Sequence, residues 1–127
     1  MKKVLIVDDF EHILAKLRSI CESFGFEIAI TTVLCKNAEE AERAIAENEP
    51  DILFLDYQFT NNYNDRNGAD VARWIDKTYE LPIAVATHTQ RSEEESRELF
   101  SGTRCITHFV KHDKERIREF LEHTLLP

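Results

Sequence analysis

Polar side chains follow four apolar runs of this chain, at the points where buried strands would end. The runs are residues 4–7, 52–55, 83–86 and 108–110, and they are followed by Asp8 and Asp9, Asp56, Thr87 and Lys111. Near-continuous apolar runs separated by helical patterns are typical of buried parallel strands. In an open parallel sheet, ligands bind beyond the carboxyl ends of the strands. Three carboxylates, a hydroxyl and an ammonium group at that edge predict a site for a divalent cation and a phosphoryl group.

The bulk composition restricts the classes of function. The chain has 127 residues, which suits one domain with a full core and leaves no room for a folded output domain. Its net charge is −8 with the basic residues dispersed, which argues against direct binding of nucleic acid. The sequence has no apolar run long enough for a membrane span, and its first residues lead directly into a strand. We therefore expect a cytoplasmic protein without membrane insertion.

Cysteine and histidine usage indicates neither a disulfide framework nor a transition-metal site. The cysteines are Cys21, Cys35 and Cys105, an odd number without a Cys-x-x-Cys pair, and we expect reduced, mostly buried thiols. Three histidines lie near the proposed edge of the sheet or on the last strand: His88, His108 and His112. Imidazole suits zinc and copper, but these positions form no short-spaced ligand motif.

Helical periodicity between the apolar runs predicts a βα unit repeated five times. Gly25 should end the first helix, and Asn37, with Glu40 three residues later, should cap the second. The strand at residues 27–34 alternates less cleanly and suits an edge position. The fourth helix, with a capping box of Ser92 and Glu95, has only two large apolar anchors, and we expect it to be the least stable element.

Right-handed crossovers would place helices on both faces of the sheet. We therefore predict an α/β fold, a flavodoxin-like three-layer α/β/α sandwich with a five-stranded parallel sheet in the order 2-1-3-4-5. The switch point of that order lies between strands one and three, where Asp8, Asp9 and Asp56 would meet. Asp8 and Asp9 have an alternative role as caps of the first helix, but capping does not explain Asp56 at the same edge.

The ordered set of motifs resembles the receiver domain of two-component response regulators. The matching parts are residues 4–9 and 50–56, Gly68 at the start of the third helix, Thr87 and Lys111, and the resemblance covers essentially the whole chain. It implies that Asp56 is the phosphoacceptor and that Thr87 and Lys111 contact the phosphoryl oxygens. It also implies a Mg²⁺ (or Mn²⁺) site. Asp9, Asp56 and the backbone carbonyl of Gln58 would bind this ion directly, and Asp8 would act through water.

The resemblance implies a single-domain response regulator in a phosphorelay. The phosphoryl donor would be a histidine kinase or a histidine phosphotransfer protein, and the signal would pass to an unidentified protein partner. Such a chain is not an enzyme beyond its self-catalysed phosphotransfer and autodephosphorylation. The chemistry is consistent, since a carboxylate can attack phosphorus and form an acyl phosphate.

Several departures from the family pattern favour an alternative. His88 follows the hydroxyl where a small residue is usual, His112 replaces the proline after Lys111, and His108 replaces an aromatic switch residue. These histidines are candidates for modifying the switch or access to the site. The loop at residues 57–67 is long and polar, and it would either cover the site or bind a partner. The alternative is a receiver-like interaction module that works without phosphorylation.

A Mg²⁺-dependent phosphohydrolase with a nucleophile on strand one is a third reading. Such enzymes commonly need Asp-x-Asp at that point, and this chain has Asp8-Asp9-Phe10 instead.

Overall fold

Strands and helices alternate along the chain. The computed structural model describes residues 1–57, 59, 66–79, 83–85, 93–104, 106–110 and 113–126. The strands are β1 (Lys2–Asp8), β2 (Ile28–Leu34), β3 (Ile52–Leu55), β4 (Ile83–Val85) and β5 (Ile106–Phe109). The helices are α1 (Glu11–Ser23), α2 (Ala38–Asn48), α3 (Gly68–Thr78), α4 (Glu93–Leu99) and α5 (Lys114–Leu125). The predicted βα repeat is therefore confirmed, with boundaries within two residues of those expected for the strands.

The strands form a five-stranded parallel sheet in the order β2-β1-β3-β4-β5. This is the predicted order, and β2 lies at an edge as its weaker alternation suggested. β1 runs one residue further than expected, because Asp8 still pairs with Leu34 of β2. On the other side of β1, Val7 pairs with Leu55 of β3. The residues that follow them, Asp8 and Asp56, therefore lie at the same edge of the sheet.

Two apolar cores lie on opposite faces of the sheet, as a three-layer sandwich requires. Successive strand residues alternate between the faces, so that β1 contributes Leu5 and Val7 to one core and Val4 and Ile6 to the other. The first core is completed by residues of α2 and α3 and by Phe100. The second is completed by residues of α1 and α5. The predicted fold class is therefore confirmed.

Local sequence signals set several helix ends. Gly25 follows α1 with φ +74°, a conformation that suits glycine, and Asn37 caps α2 by accepting the Glu40 N–H at 2.8 Å.

Cys21 and Cys35 are free, buried thiols as predicted, while Cys105 and Ser92 lie outside the described residues. Among the helices that the structure describes, none is both long and apolar enough to cross a membrane.

Candidate functional site

The carboxyl ends of β1 and β3 bring three aspartates together. Because Val7 pairs with Leu55, Asp8 and Asp56 are the next residues on adjacent parallel strands. Asp9 follows Asp8 directly. One carboxylate oxygen of each aspartate lies within 4.8 Å of the corresponding oxygen of the other two. The structure therefore groups these three predicted site residues.

Backbone N–H groups orient two of the carboxylates. Oδ1 of Asp8 accepts the Phe10 N–H at 3.0 Å, and Oδ1 of Asp56 accepts the Tyr57 N–H at 2.8 Å. Both aspartates are 1% exposed, whereas Asp9 is half-buried. The N-cap residue of α1 is Phe10, which makes no side-chain capping bond. Neither Asp8 nor Asp9 is thus the N-cap of α1, and the capping alternative is not supported.

The cluster concentrates buried carboxyl groups, and some of their oxygens accept no hydrogen bond from the described residues. Oδ2 of Asp8 and Oδ1 of Asp9 are buried and accept no hydrogen bond within the described part of the chain. Burial raises the pKa of the Asp8 carboxyl to about 7, and the Asp9 carboxylate adds to the rise, while the hydrogen bond from Phe10 opposes it. Close carboxylate oxygens of this kind are the donors that a hard divalent cation such as Mg²⁺ prefers. The donor set therefore fits Mg²⁺.

Gly68 allows α3 to begin directly against the backbone of Asp56. A Cβ atom at position 68 would lie 2.0 Å from the carbonyl oxygen of Asp56 and 2.8 Å from the Cα atom of Tyr57. No side chain fits at these distances, so the close approach explains the glycine at the start of this helix. The first residue of α3 thus packs directly against the backbone of Asp56, the candidate acceptor.

A capping box fixes the start of α3. The Asn67 side chain accepts the N–H groups of Ala69 and Asp70, and the Asp70 carboxylate accepts the Asn67 N–H at 2.9 Å. Gly68 was predicted at the start of this helix, but the capping box was not. The pattern Asn-x-x-Asp before the apolar residues of α3 was the signal that would have revealed it.

Two aromatic residues of the loop after β3 also escaped the sequence analysis. Tyr57 packs its ring against Phe100, and its hydroxyl accepts a hydrogen bond from Asn67 Nδ2 at 3.3 Å. Phe59 is 2% exposed and belongs to the core that contains Phe100. The loop at residues 57–67 is therefore anchored in the core at its start, which its polar composition did not indicate.

The other predicted site residues cannot be placed by this geometry. Gln58, Thr87, His88, Lys111 and His112 lie outside the described residues, and their roles remain predictions. The backbone of His108 lies in β5, where it pairs with Ala84 of β4. Its side chain is outside the described part, so the predicted switch role of His108 is likewise untested.

Comparisons with known proteins agree with this geometry. A family model described as the response regulator receiver domain matches residues 4–122. The N-terminal domain of a response regulator/sensory box/GGDEF 3-domain protein from Carboxydothermus hydrogenoformans aligns with a TM-score of 0.74 at 19% identity, over 98% of this chain and 94% of that chain.

Two further solved structures have the same fold. A two-component response regulator from Clostridium difficile aligns with a TM-score of 0.72 at 23% identity, over 98% of this chain and 96% of that chain. The signal receiver domain of a modulated diguanylate cyclase from Desulfovibrio desulfuricans G20 aligns with a TM-score of 0.69 at 26% identity, over 98% of this chain and 94% of that chain. With its family match, its fold and its aspartate cluster, the chain belongs to the response regulator receiver domain family of two-component signalling.

Proposed function

We propose that Asp56 is a phosphoacceptor that takes a phosphoryl group from a phosphohistidine on a histidine kinase or a histidine phosphotransfer protein. The acid cluster carries this proposal. A buried carboxylate at the end of β3 lies beside two further aspartates, and its Oδ1 is already oriented by the Tyr57 N–H. Such an arrangement positions one oxygen nucleophile and gathers oxygen ligands around it.

The transfer step balances as a displacement at phosphorus. A carboxylate oxygen of Asp56 attacks the phosphorus atom, a new O–P bond forms, and the P–N bond of the phosphohistidine breaks. The departing imidazole nitrogen takes up a proton. Later attack of water on phosphorus would break the acyl O–P bond and return the carboxylate and inorganic phosphate.

Asp8, Asp9 and Asp56, with the backbone carbonyl of Gln58, would hold Mg²⁺. When bound, Mg²⁺ supplies positive charge that offsets the charge of the carboxylates and of the transferring phosphoryl group. Thr87 and Lys111 complete the proposal by contacting the phosphoryl oxygens. Their chemistry suits the role, because a hydroxyl and an ammonium group both donate hydrogen bonds to phosphate.

Intact-protein mass spectrometry after incubation with acetyl phosphate tests the proposal. We expect one phosphoryl adduct that requires Mg²⁺ and is absent from Asp56→Asn. Asp51→Asn is the matched control, since Asp51 precedes the other end of β3, where its Oδ2 accepts the Lys3 N–H at 2.8 Å. This control should form the adduct as the wild type does.

A folded wild-type protein that binds Mg²⁺ but forms no adduct, with acetyl phosphate or with a phosphorylated donor protein, would overturn the proposal. That result would favour the phosphorylation-independent interaction module. Circular dichroism on each variant separates loss of chemistry from loss of fold.

A further inference from the structure

Tyr57 joins the candidate acceptor to a distant part of the fold. Its backbone N–H donates to Oδ1 of Asp56 at 2.8 Å, so its main chain senses the charge on that carboxylate. Its side chain leaves in a different direction and contacts Phe100, with ring centroids 5.6 Å apart and an interplanar angle of 68°. One residue therefore bonds the acceptor and touches a second element.

Phe100 directly follows α4. Its N–H donates to the carbonyl of Ser96 at 3.2 Å, continuing the helical hydrogen-bond pattern beyond Leu99. Its side chain is 3% exposed and inserts into the core formed with α2 and α3. Phe100 is thus a buried residue that anchors the end of α4 on the domain, and Tyr57 is one of its partners.

The ring of Tyr57 is also fixed at its polar end. Asn67 donates from Nδ2 to the Tyr57 hydroxyl at 3.3 Å, and the same side chain caps α3. Tyr57 is therefore restrained at two points, its backbone N–H and its hydroxyl. If the hydrogen bond to Asp56 weakens and the backbone of Tyr57 shifts, the ring cannot keep its position against Phe100 independently. A change at the acceptor is then passed on to the contact with Phe100.

We infer that Tyr57 is a positioning residue that couples the charge state of Asp56 to the docking of α4 through Phe100. The inference rests on the proposed function of Asp56. Phosphorylation turns the carboxylate into an acyl phosphate, which carries less charge on Oδ1 and accepts the Tyr57 N–H more weakly. The Tyr57–Phe100 contact is thereby weakened, and the docked arrangement of α4 becomes less populated.

The test measures amide hydrogen exchange of α4 (Glu93–Leu99) with and without acetyl phosphate and Mg²⁺. Intact mass on the same samples gives the extent of phosphorylation. In the wild type, phosphorylation should speed exchange of α4 by about two- to tenfold, the range expected for an aromatic pair. In Tyr57→Leu, the amides of α4 should exchange faster by the same factor before phosphorylation, and phosphorylation should change their exchange little. Tyr57→Phe keeps the ring but loses the bond from Asn67, so its response should be smaller than that of the wild type and larger than that of Tyr57→Leu.

Two further variants keep the test decisive. Tyr79→Leu removes a similar edge-to-face pair, Trp74–Tyr79, at the far end of α3 and should leave the response of α4 unchanged. Phe100→Leu removes the same contact from the side of Phe100, so α4 should again exchange faster and respond little to phosphorylation. This variant tests the coupling even if Tyr57→Leu fails to fold.

The outcomes separate the two proposals. A phosphorylated Tyr57→Leu or Phe100→Leu protein whose α4 responds as in the wild type would overturn the coupling and leave Asp56 as phosphoacceptor. A wild-type protein that takes up no phosphoryl group would overturn the proposed function, and the coupling with it.

Discussion

Asp8 carries a carboxyl group whose burial makes the stability of the metal-free fold depend on pH. Its pKa is about 7 in the folded chain and 3.8 as an ordinary carboxyl. Between these values the folded state holds the proton more tightly than the unfolded state does. The free energy of unfolding therefore falls as the pH rises from about 4 to about 7, and the full penalty is present above that range.

Asp8→Asn should remove this penalty. At pH 8 without Mg²⁺, we expect the variant to have a free energy of unfolding higher by up to about 4 kcal/mol, at 1.36 kcal/mol for each of about three pKa units. At pH 4 the two proteins should differ little, because Asp8 is then protonated in the folded state and still about two-fifths protonated in the unfolded state, so that most of the ionisation penalty is absent. Urea unfolding in EDTA across this pH range measures the difference. An equal advantage at pH 4 and pH 8 would attribute the effect to packing instead of ionisation.

Gly68 is the second residue at which the site constrains the chain. Gly68→Ala places a Cβ atom 2.0 Å from the Asp56 carbonyl oxygen, so either α3 or the acceptor backbone must move. We expect a loss of about 1–3 kcal/mol in the free energy of unfolding and slower phosphoryl adduct formation. Gly25→Ala is the control, because it is strained by φ +74° but meets no atom within 4 Å. It should lower stability by about 1 kcal/mol while the adduct rate stays unchanged. An unchanged adduct rate in Gly68→Ala would show that Asp56 tolerates the shift.

At the scale of elements, α4 is short and carries a polar group on its buried side. It has seven residues, and Ser96 is 2% exposed with a hydroxyl that makes no hydrogen bond within the described residues. An unsatisfied buried hydroxyl costs about 1–3 kcal/mol. This cost adds a second reason for weak docking to the shortage of apolar anchors seen in the sequence.

Ser96→Ala should therefore stabilise α4. We expect amide exchange across α4 to slow by roughly five- to thirtyfold, equivalent to about 1–2 kcal/mol. Ser19→Ala is the matched control, since Ser19 is exposed on α1 and reports only the higher helix propensity of alanine. If both substitutions slowed exchange of their helices equally, the buried hydroxyl would not be the cause.

The sequence predicts the elements of this fold better than their contacts. Asn37 and Gly25 act through neighbours a few residues away, so their roles as helix cap and helix end follow from local chemistry. Phe59 and Ser96 do not follow any such rule. Phe59 is buried although its loop is polar, and Ser96 is buried although it is hydrophilic, because tertiary packing overrides composition at both positions.

At the scale of the whole molecule, the parallel sheet explains how much of the site was predictable. Adjacent parallel strands end at one edge, so Asp8, Asp9 and Asp56 could be grouped from the order of apolar runs alone. The contact between Tyr57 and Phe100 depends on how α4 packs against the loop after β3. No periodicity or motif in the sequence encodes that distance, and only the structure reveals it.

The two cores give the last prediction, because they separate global stability from coupling. Phe120 packs edge-to-face on Phe54 at 5.3 Å in the core with α1 and α5, on the face opposite Phe100. Phe120→Leu should lower the free energy of unfolding by about 1–2 kcal/mol in urea. Mg²⁺ affinity and the response of α4 to phosphorylation should stay within about twofold of the wild type, since Phe120 lies in the core opposite the one that contains Tyr57 and Phe100. If Phe120→Leu abolished the response as Tyr57→Leu is expected to, the response would follow global stability and not the Tyr57–Phe100 contact.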